Sequence, residues 1–248
     1  AEATAKGVSQ AADCITKPVL QSLSQEFLAP VVARMLYPDL MQRFLPVAVL
    51  PDRATALSAA WQESWQSSVA QPRTLGLDAA LASLLQVDSG MGKEWLPALL
   101  LNSTHVETGQ RVIASSLALD KARLRDDPAI PAFLNAVDLQ KLIKADVTLG
   151  TAALNSARFT YVSPPATLPC ADSSWISFCR NGHVVDGGYF ENFGAVTAKQ
   201  LLDAAPLPGL GEPASVRPIV ILISNDAGLG TKIEDDVPPQ ELPSQGVA

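Results

Sequence analysis

The stretch HVVDGGYFENFG, residues His183–Gly194, contains a short apolar run, then a carboxylate, and then two glycines. The pair Val184-Val185 predicts a short buried strand, and Asp186 lies at its end. The pair Gly187-Gly188 tolerates positive φ and lets another chain segment approach closely. The pattern therefore predicts a rigidly held carboxylate that faces a cleft. It also fits a turn aspartate that caps the following segment, and the local sequence leaves both interpretations open.

The composition indicates a globular protein with a sizeable core. The chain has 248 residues, of which 48% are hydrophobic and 17% are charged, and this balance argues against disorder. The formal net charge is −7 and the sequence pI is about 4.8. Nucleic-acid binders usually present a basic face, and the sequence has no cluster of Lys and Arg, so we expect no nucleic-acid partner. No apolar run approaches the length of a membrane-spanning helix.

Strand and helix patterns alternate along the rest of the chain. Two strands are predicted at Pro97–Val106 and Arg111–Ser115, with a turn at Thr108-Gly109. Helices are predicted after Asp52 and Asp138, at about 148–156, and at 191–205 with Asn192 as a cap. The apolar run RPIVILISNDAG, residues 217–228, predicts a strand buried on both faces of a parallel sheet. We therefore expect an α/β fold, a layered and mostly parallel sheet with flanking helices.

An aromatic stripe lies on the helix predicted after Asp52. Leu57, Trp61 and Trp65 recur at helical spacing and so share one face. Packing in the core explains this spacing, and a membrane-facing surface is the alternative.

The two histidines and a serine near the N-terminus are the other candidate catalytic residues. His105 could join it in a Ser–His–Asp triad, whereas His183 alternates to the opposite face of its strand. The sequence contains no Gly-x-Ser-x-Gly elbow, and the nearest match, GVSQA at residues 7–11, makes Ser9 a candidate nucleophile.

Three cysteines are present, of which two flank a short Ser/Trp loop. Cys170 and Cys179 could pair in an oxidising compartment, and free thiols are the alternative. Together with His183 they match no standard zinc spacing, so we expect no metal.

Three blocks in order carry a family resemblance: LLNSTHVETGQRV at Leu100–Val112, SARFTYVSPP at Ser156–Pro165, and VVDGGYFENFG at Val184–Gly194. Together they resemble patatin-like phospholipases, in which the Asp-Gly-Gly aspartate completes a Ser–Asp dyad. The resemblance spans most of the chain from Gln21 to about Gly228. The glycine-rich oxyanion loop and serine elbow of the family precede everything found here. The resemblance therefore implies an α/β domain that is incomplete at its N-terminus.

The resemblance implies a domain plan and a set of site residues. Residues 1–20 are small and polar with no strong period and predict a poorly ordered lead segment, and the Pro-rich, acidic residues 232–248 predict a flexible tail. The resemblance implies that residues 21–231 are the patatin-like domain, with a helical insert at about 21–90. Asp186 is the dyad base, Gly187, Gly188 and Asn192 support its turn, and the serine lies upstream of this chain.

The implied activity is that of a lipid acyl hydrolase of the phospholipase A or esterase type, which degrades lipid esters without a cofactor or a metal. The chain alone would then be inactive, and its parent protein would be a serine hydrolase. The partners would be a lipid or other ester substrate and the periphery of a membrane, in a membrane-associated or cell-envelope location. Two alternatives stay open: a non-catalytic remnant or interaction domain, and a transacylase that uses the same dyad.

Overall fold

A five-stranded mixed sheet flanked by helices forms an α/β fold in the computed structural model of the chain. The model describes residues 16–45, 50–69, 76–85, 97–169, 178, 182–204 and 219–223. The chain divides into two compact units, Ala1–Val216 and Arg217–Ala248. The sheet and all the helices named below belong to the first unit. Predictions for Ser9, Cys170, Cys179 and the tail at 232–248 lie outside the described residues.

The strands and helices follow one another in a mixed order. The strands are β1 (Leu100–His105), β2 (Arg111–Ser115), β3 (Ala136–Asp138), β4 (Ala166–Thr167) and β5 (His183–Asp186). The helices are α1 (16–23), α2 (Leu28–Arg34), α3 (Leu40–Gln42), α4 (Arg53–Ser68), α5 (Leu139–Ile143), α6 (Leu149–Ser156) and α7 (Ala195–Asp203). The predicted end of the lead segment, at residue 20, falls inside α1. Across the sheet the strand order is β3-β2-β1-β5-β4.

The predicted pair of strands around Thr108 is confirmed as an antiparallel hairpin. Leu101 lies opposite Ala114, and the register continues along β1 and β2. Gly109 adopts a φ of +68° in the connecting turn, a conformation that glycine reaches without a Cβ clash. The hairpin supplies the central strand β1, beside which β5 pairs.

The prediction of a mostly parallel sheet is wrong. β1 pairs antiparallel with β2 and β5, and β4 pairs antiparallel with β5. In the described sheet, only β3 runs parallel to its neighbour, β2. The short turn between β1 and β2 requires an antiparallel pair, because a parallel pair needs a crossover of about a dozen residues or more. Both faces of this sheet are covered by hydrophobic clusters, so its antiparallel strands are apolar on both sides. That sequence pattern is the one that parallel strands usually show.

The predicted strand at 217–228 is wrong at residues 219–223. In the second unit the structure describes residues 219–223, which form no strand. An apolar run becomes a buried strand only where neighbouring strands pair with its backbone. Among the described residues no such pairing is present for this run.

Two hydrophobic clusters lie on opposite faces of the sheet. One joins Val112 to Leu142 of α5 and Ala152 of α6. The other contains Ile113, and Leu201 of α7 packs against it. Because adjacent residues of a strand point to opposite faces, α5 and α6 cover one face and α7 covers the other. Asp186 shares the face of Val184, which belongs to the α6 side.

The N-terminal helices form a third cluster beside α6. Leu57 of α4 is buried and Trp61 packs against the cluster, so core packing is confirmed for these two members of the aromatic stripe. The predicted cap is also confirmed, since Asp52 accepts a hydrogen bond from the Thr55 N–H at 2.9 Å. A π-helical turn at Met35–Asp39 connects α2 to α3. Within the described residues, none of the helices combines the length and hydropathy needed to cross a membrane.

Candidate functional site

Asp186 lies at the end of β5 with its carboxylate half-buried. Its backbone N–H donates to the Arg158 carbonyl at 3.1 Å, which ties the end of β5 to the segment after α6. Its Oδ1 accepts from the Gly188 N–H at 2.6 Å. Among the described residues, Oδ2 accepts no hydrogen bond. Within the described part of the chain, one carboxylate oxygen therefore anchors the side chain, and the other is left open to a hydroxyl donor.

Close contacts limit the space for a side chain at both glycines after Asp186. A Cβ on Gly187 would lie 2.5 Å from the Asn102 carbonyl oxygen on β1. A Cβ on Gly188 would lie 3.0 Å from Oδ1 of both Asp186 and Asn192. Gly187–Tyr189 forms a short 3₁₀ turn. The turn can press against β1 only because residue 187 has no side chain.

Asn192 lies beside this turn, but it does not cap α7 as predicted. Gly194 is the residue before α7, at a φ of +66°, and makes no side-chain cap. Glu191 takes this role: its Oε2 accepts from the Val196 N–H at 2.7 Å and its Oε1 from the Thr197 N–H at 3.2 Å. A carboxylate suits this position better than an amide because the first turn of a helix favours negative charge.

Arg111 and Glu191 form a buried ion pair on the α7 side of the sheet. Arg111 is fully buried, and its Nη1 lies 3.5 Å from Glu191 Oε1 and donates to Thr197 Oγ1 at 2.6 Å. Burial lowers the pKa of Arg111, and the negative charge of Glu191 opposes that shift. Asn102 joins the group by accepting from Thr197 Oγ1 at 3.0 Å. Removing one partner of a buried ion pair costs about 3–5 kcal/mol, so this network fixes the chain after Asp186 onto β1 and β2.

Ser103 is a neighbour of Asp186 that sequence reasoning missed. It is the cross-strand partner of Asp186 in the β1–β5 register. The Val106 N–H donates to the His183 carbonyl at 2.8 Å. Hydrogen-bonded and non-hydrogen-bonded pairs alternate along an antiparallel register, so Ser103 and Asp186, three positions further along, form a non-hydrogen-bonded pair. Side chains stand closest in such pairs. The Cβ atoms of such opposite residues are about 4.5–5.5 Å apart. Ser103 is only 3% exposed, however, so a substrate carbonyl cannot reach its hydroxyl.

Exposed aromatic side chains lie on the segment after α6 and on the turn that follows Asp186. The ring centroids of Phe159 and Tyr161 are 6.0 Å apart, and those of Phe159 and Tyr189 are 6.4 Å apart. Thr160 Oγ1 and the Tyr189 hydroxyl lie 2.9 Å apart and share a hydrogen bond. These contacts join the segment after α6 to the turn after Asp186.

His105 does not form a triad with Asp186. Its Nδ1 lies 2.8 Å from Thr108 Oγ1 and its Nε2 lies 3.0 Å from the Phe178 carbonyl oxygen, so both ring nitrogens are occupied. Its ring also stacks on Phe178 at a centroid distance of 3.8 Å. His183 lies on the opposite face from Asp186, as predicted, and its Nδ1 contacts Glu107 Oε1 at 2.8 Å.

The two histidines and Glu107 are not arranged as a metal site. In the part of the chain that the structure describes, no group of three or more His, Cys, Asp and Glu side chains could hold a metal ion.

Comparison of the chain with family models, curated proteins and solved structures finds no match.

The tight approach of Gly187 to Asn102 predicts a strong effect of one methyl group. Gly187→Ala should lower the free energy of unfolding by about 1–3 kcal/mol, because backbone atoms must move to admit the Cβ. Gly188→Ala is the matched control, since its Cβ would meet side-chain atoms that can turn away. Urea unfolding of the three proteins measures the difference. Equal stability of the two variants would contradict the close approach.

Burial of His105 predicts a loss of stability in acid. Burial lowers the pKa of His105 below its ordinary value of 6.5, with Glu107 acting in the opposite direction. Below that ordinary value the unfolded chain takes up a proton that the folded chain resists, so the free energy of unfolding falls as the pH falls. Denaturation between pH 7.5 and 5.5 should show this slope, and His105→Gln should flatten it. An unchanged slope in the variant would assign the effect to other groups.

Proposed function

We propose that this chain is part of a patatin-like lipid acyl hydrolase in which Asp186 is the base of a Ser–Asp dyad. The observation that carries the proposal is the state of the carboxylate. It stands at the end of a strand, is anchored through Oδ1 by the Gly188 N–H, and keeps Oδ2 without a partner among the described residues. A base that acts on a hydroxyl needs this combination of fixed direction and one available oxygen.

The proposed reaction is acyl transfer to water. Asp186 accepts the proton of the serine hydroxyl while the serine oxygen attacks the ester carbonyl. The bond to the ester oxygen then breaks, and Asp186 gives the proton to that oxygen, which leaves as the alcohol. Water then releases the acid from the acyl-enzyme by the same route. Gly187 and Gly188 hold the turn, and Asn192, whose Oδ1 lies against Gly188, supports it. The proposed reaction uses no cofactor and no metal, and an acceptor other than water would make the protein a transacylase.

The nucleophile is proposed to come from a segment upstream of residue 1. The sequence has no Gly-x-Ser-x-Gly elbow, and Ser103, which the fold places beside Asp186, is buried in a central strand. A nucleophile must be exposed so that the ester can approach it, as the serine of a Gly-x-Ser-x-Gly elbow is. The exposed aromatic side chains of Phe159, Tyr161 and Tyr189, on segments next to Asp186 in the chain or across a backbone hydrogen bond, support a lipid ester as substrate and contact with the periphery of a membrane.

One observation supports a non-catalytic alternative. The same Oδ1–Gly188 bond is what a purely structural turn aspartate would make. In that case Asp186 holds the β5 turn, and the domain serves as an interaction module. The two functions differ in what replacement of the carboxylate does to hydrolysis.

Asp186→Asn separates these functions in the protein that includes the upstream serine segment. Asparagine can still accept from the Gly188 N–H through Oδ1, so the melting curve should change little. Loss of the base should lower kcat/KM for ester hydrolysis on the order of 10³-fold. Asp126→Asn is the matched control, because that aspartate is exposed and remote from β5 in sequence. Hydrolysis that survives in Asp186→Asn would show that Asp186 is a turn residue.

A further inference from the structure

Asp186 lies where the pairing between β4 and β5 ends. Ala166 of β4 lies opposite Val184 in an antiparallel register. Two residues further along this register, Pro164 would lie opposite Asp186. Proline has no backbone N–H to donate across a ladder, and β4 begins only at Ala166. The backbone of Asp186 therefore needs a partner other than a neighbouring strand on this side.

Arg158 supplies that partner. Its backbone carbonyl accepts the Asp186 N–H at 3.1 Å. Its side-chain Nη1 donates to the Pro164 carbonyl at 2.7 Å. One residue thus accepts from Asp186 and donates to Pro164, the two positions that the register would have placed opposite each other.

A third hydrogen bond fixes the guanidinium of Arg158 itself. Its Nε donates to Oδ1 of Asn155, a buried residue of α6, at 2.9 Å. Burial lowers the pKa of Arg158, and the negative charge of Asp52 opposes that shift. Hydrogen bonds are stronger in such a partly dehydrated setting than on an open surface. The planar guanidinium presents Nε and Nη1 in fixed directions, so the chain between Asn155 and Pro164 closes onto one side chain.

We propose that Arg158 is a positioning residue for Asp186. Its guanidinium holds the chain between α6 and β4 in one shape. Its carbonyl, as part of that chain, fixes the backbone from which the Asp186 carboxylate projects, while the Gly188 N–H holds Oδ1 of the carboxylate at 2.6 Å. The effect of Arg158 on catalysis rests on the proposed function, whereas the anchoring of the Asp186 backbone does not.

Hydrogen exchange at single amides of the 248-residue chain tests the anchoring. Arg158→Lys keeps the positive charge but loses the planar fork, so the Asp186 N–H should exchange at least about tenfold faster. The Val106 N–H donates to the His183 carbonyl at the other end of β5. Its exchange should stay within about twofold of the original rate, which shows that the sheet is intact.

Arg53→Lys is the matched control. Nε of Arg53 donates to another carbonyl of the same segment, that of Val162, at 3.1 Å, and its Nη1 pairs with Asp39. In this variant the Asp186 amide should exchange within about twofold of the original rate. Asn155→Ser is a second, milder test, because it withdraws the acceptor of the Arg158 Nε bond. It should accelerate exchange of the Asp186 amide and leave that of Val106 unchanged.

The catalytic effect is measured in the protein that includes the upstream serine segment. Arg158→Lys should lower kcat about tenfold and leave KM within about twofold, because it turns the base and not the contacts of the substrate. Arg53→Lys should leave both constants within about twofold of the original values.

Four results would overturn this proposal. They are unchanged exchange at Asp186 in Arg158→Lys, equal acceleration there in Arg53→Lys, equal acceleration of the Asp186 and Val106 amides, and an unchanged kcat in Arg158→Lys beside a faster Asp186 amide. The proposed function fails separately. Hydrolysis that survives in Asp186→Asn would reject the dyad, whereas selective exchange at Asp186 in Arg158→Lys would still show the anchor.

Discussion

The antiparallel register of β1 and β5 is the constraint on which the rest of the site depends. It places Ser103 opposite Asp186 and brings the Asn102 carbonyl against Gly187. A slip of one residue would turn Asp186 to the α7 side of the sheet and bury it against a hydrophobic cluster. The close approach at Gly187 helps to fix the register. A slip that moved a residue with a side chain into the place of Gly187 would bring its Cβ into contact with the Asn102 carbonyl of β1.

A buried polar network reinforces this register from the other face of the sheet. Arg111 of β2 reaches Glu191 and Thr197, and Glu191 in turn caps α7. In the described part of the chain, Arg111 Nε is buried without a hydrogen-bond partner. Such an unpaired group lowers the stability of the fold. In return, the ion pair of Arg111 and Glu191 holds the turn after Asp186 in a single position. The rigid side of the site is therefore polar and buried, whereas exposed aromatic side chains lie on the segment after α6 and on the turn after Asp186.

Sequence reasoning found what local patterns encode. The hairpin at Gly109, the cap at Asp52 and the strand that ends in Asp186 each depend on neighbouring residues. The predictions of a mostly parallel sheet and of a strand at Ile219–Ile223 were wrong, because an apolar run does not reveal which strands pair with it. Ser103 and Glu191 were missed for a related reason. Their roles depend on contacts across strands and on where α7 begins, and no short motif marks either feature.

The most direct test of the central claim uses a fluorophosphonate probe and intact mass, applied to the 248-residue chain and to the protein extended through its upstream serine segment. The account predicts no adduct on the shorter chain and one adduct on the longer protein, at the upstream serine. An adduct on the shorter chain at Ser103 or Ser9 would contradict it. The nucleophile of Asp186 would then lie within these 248 residues.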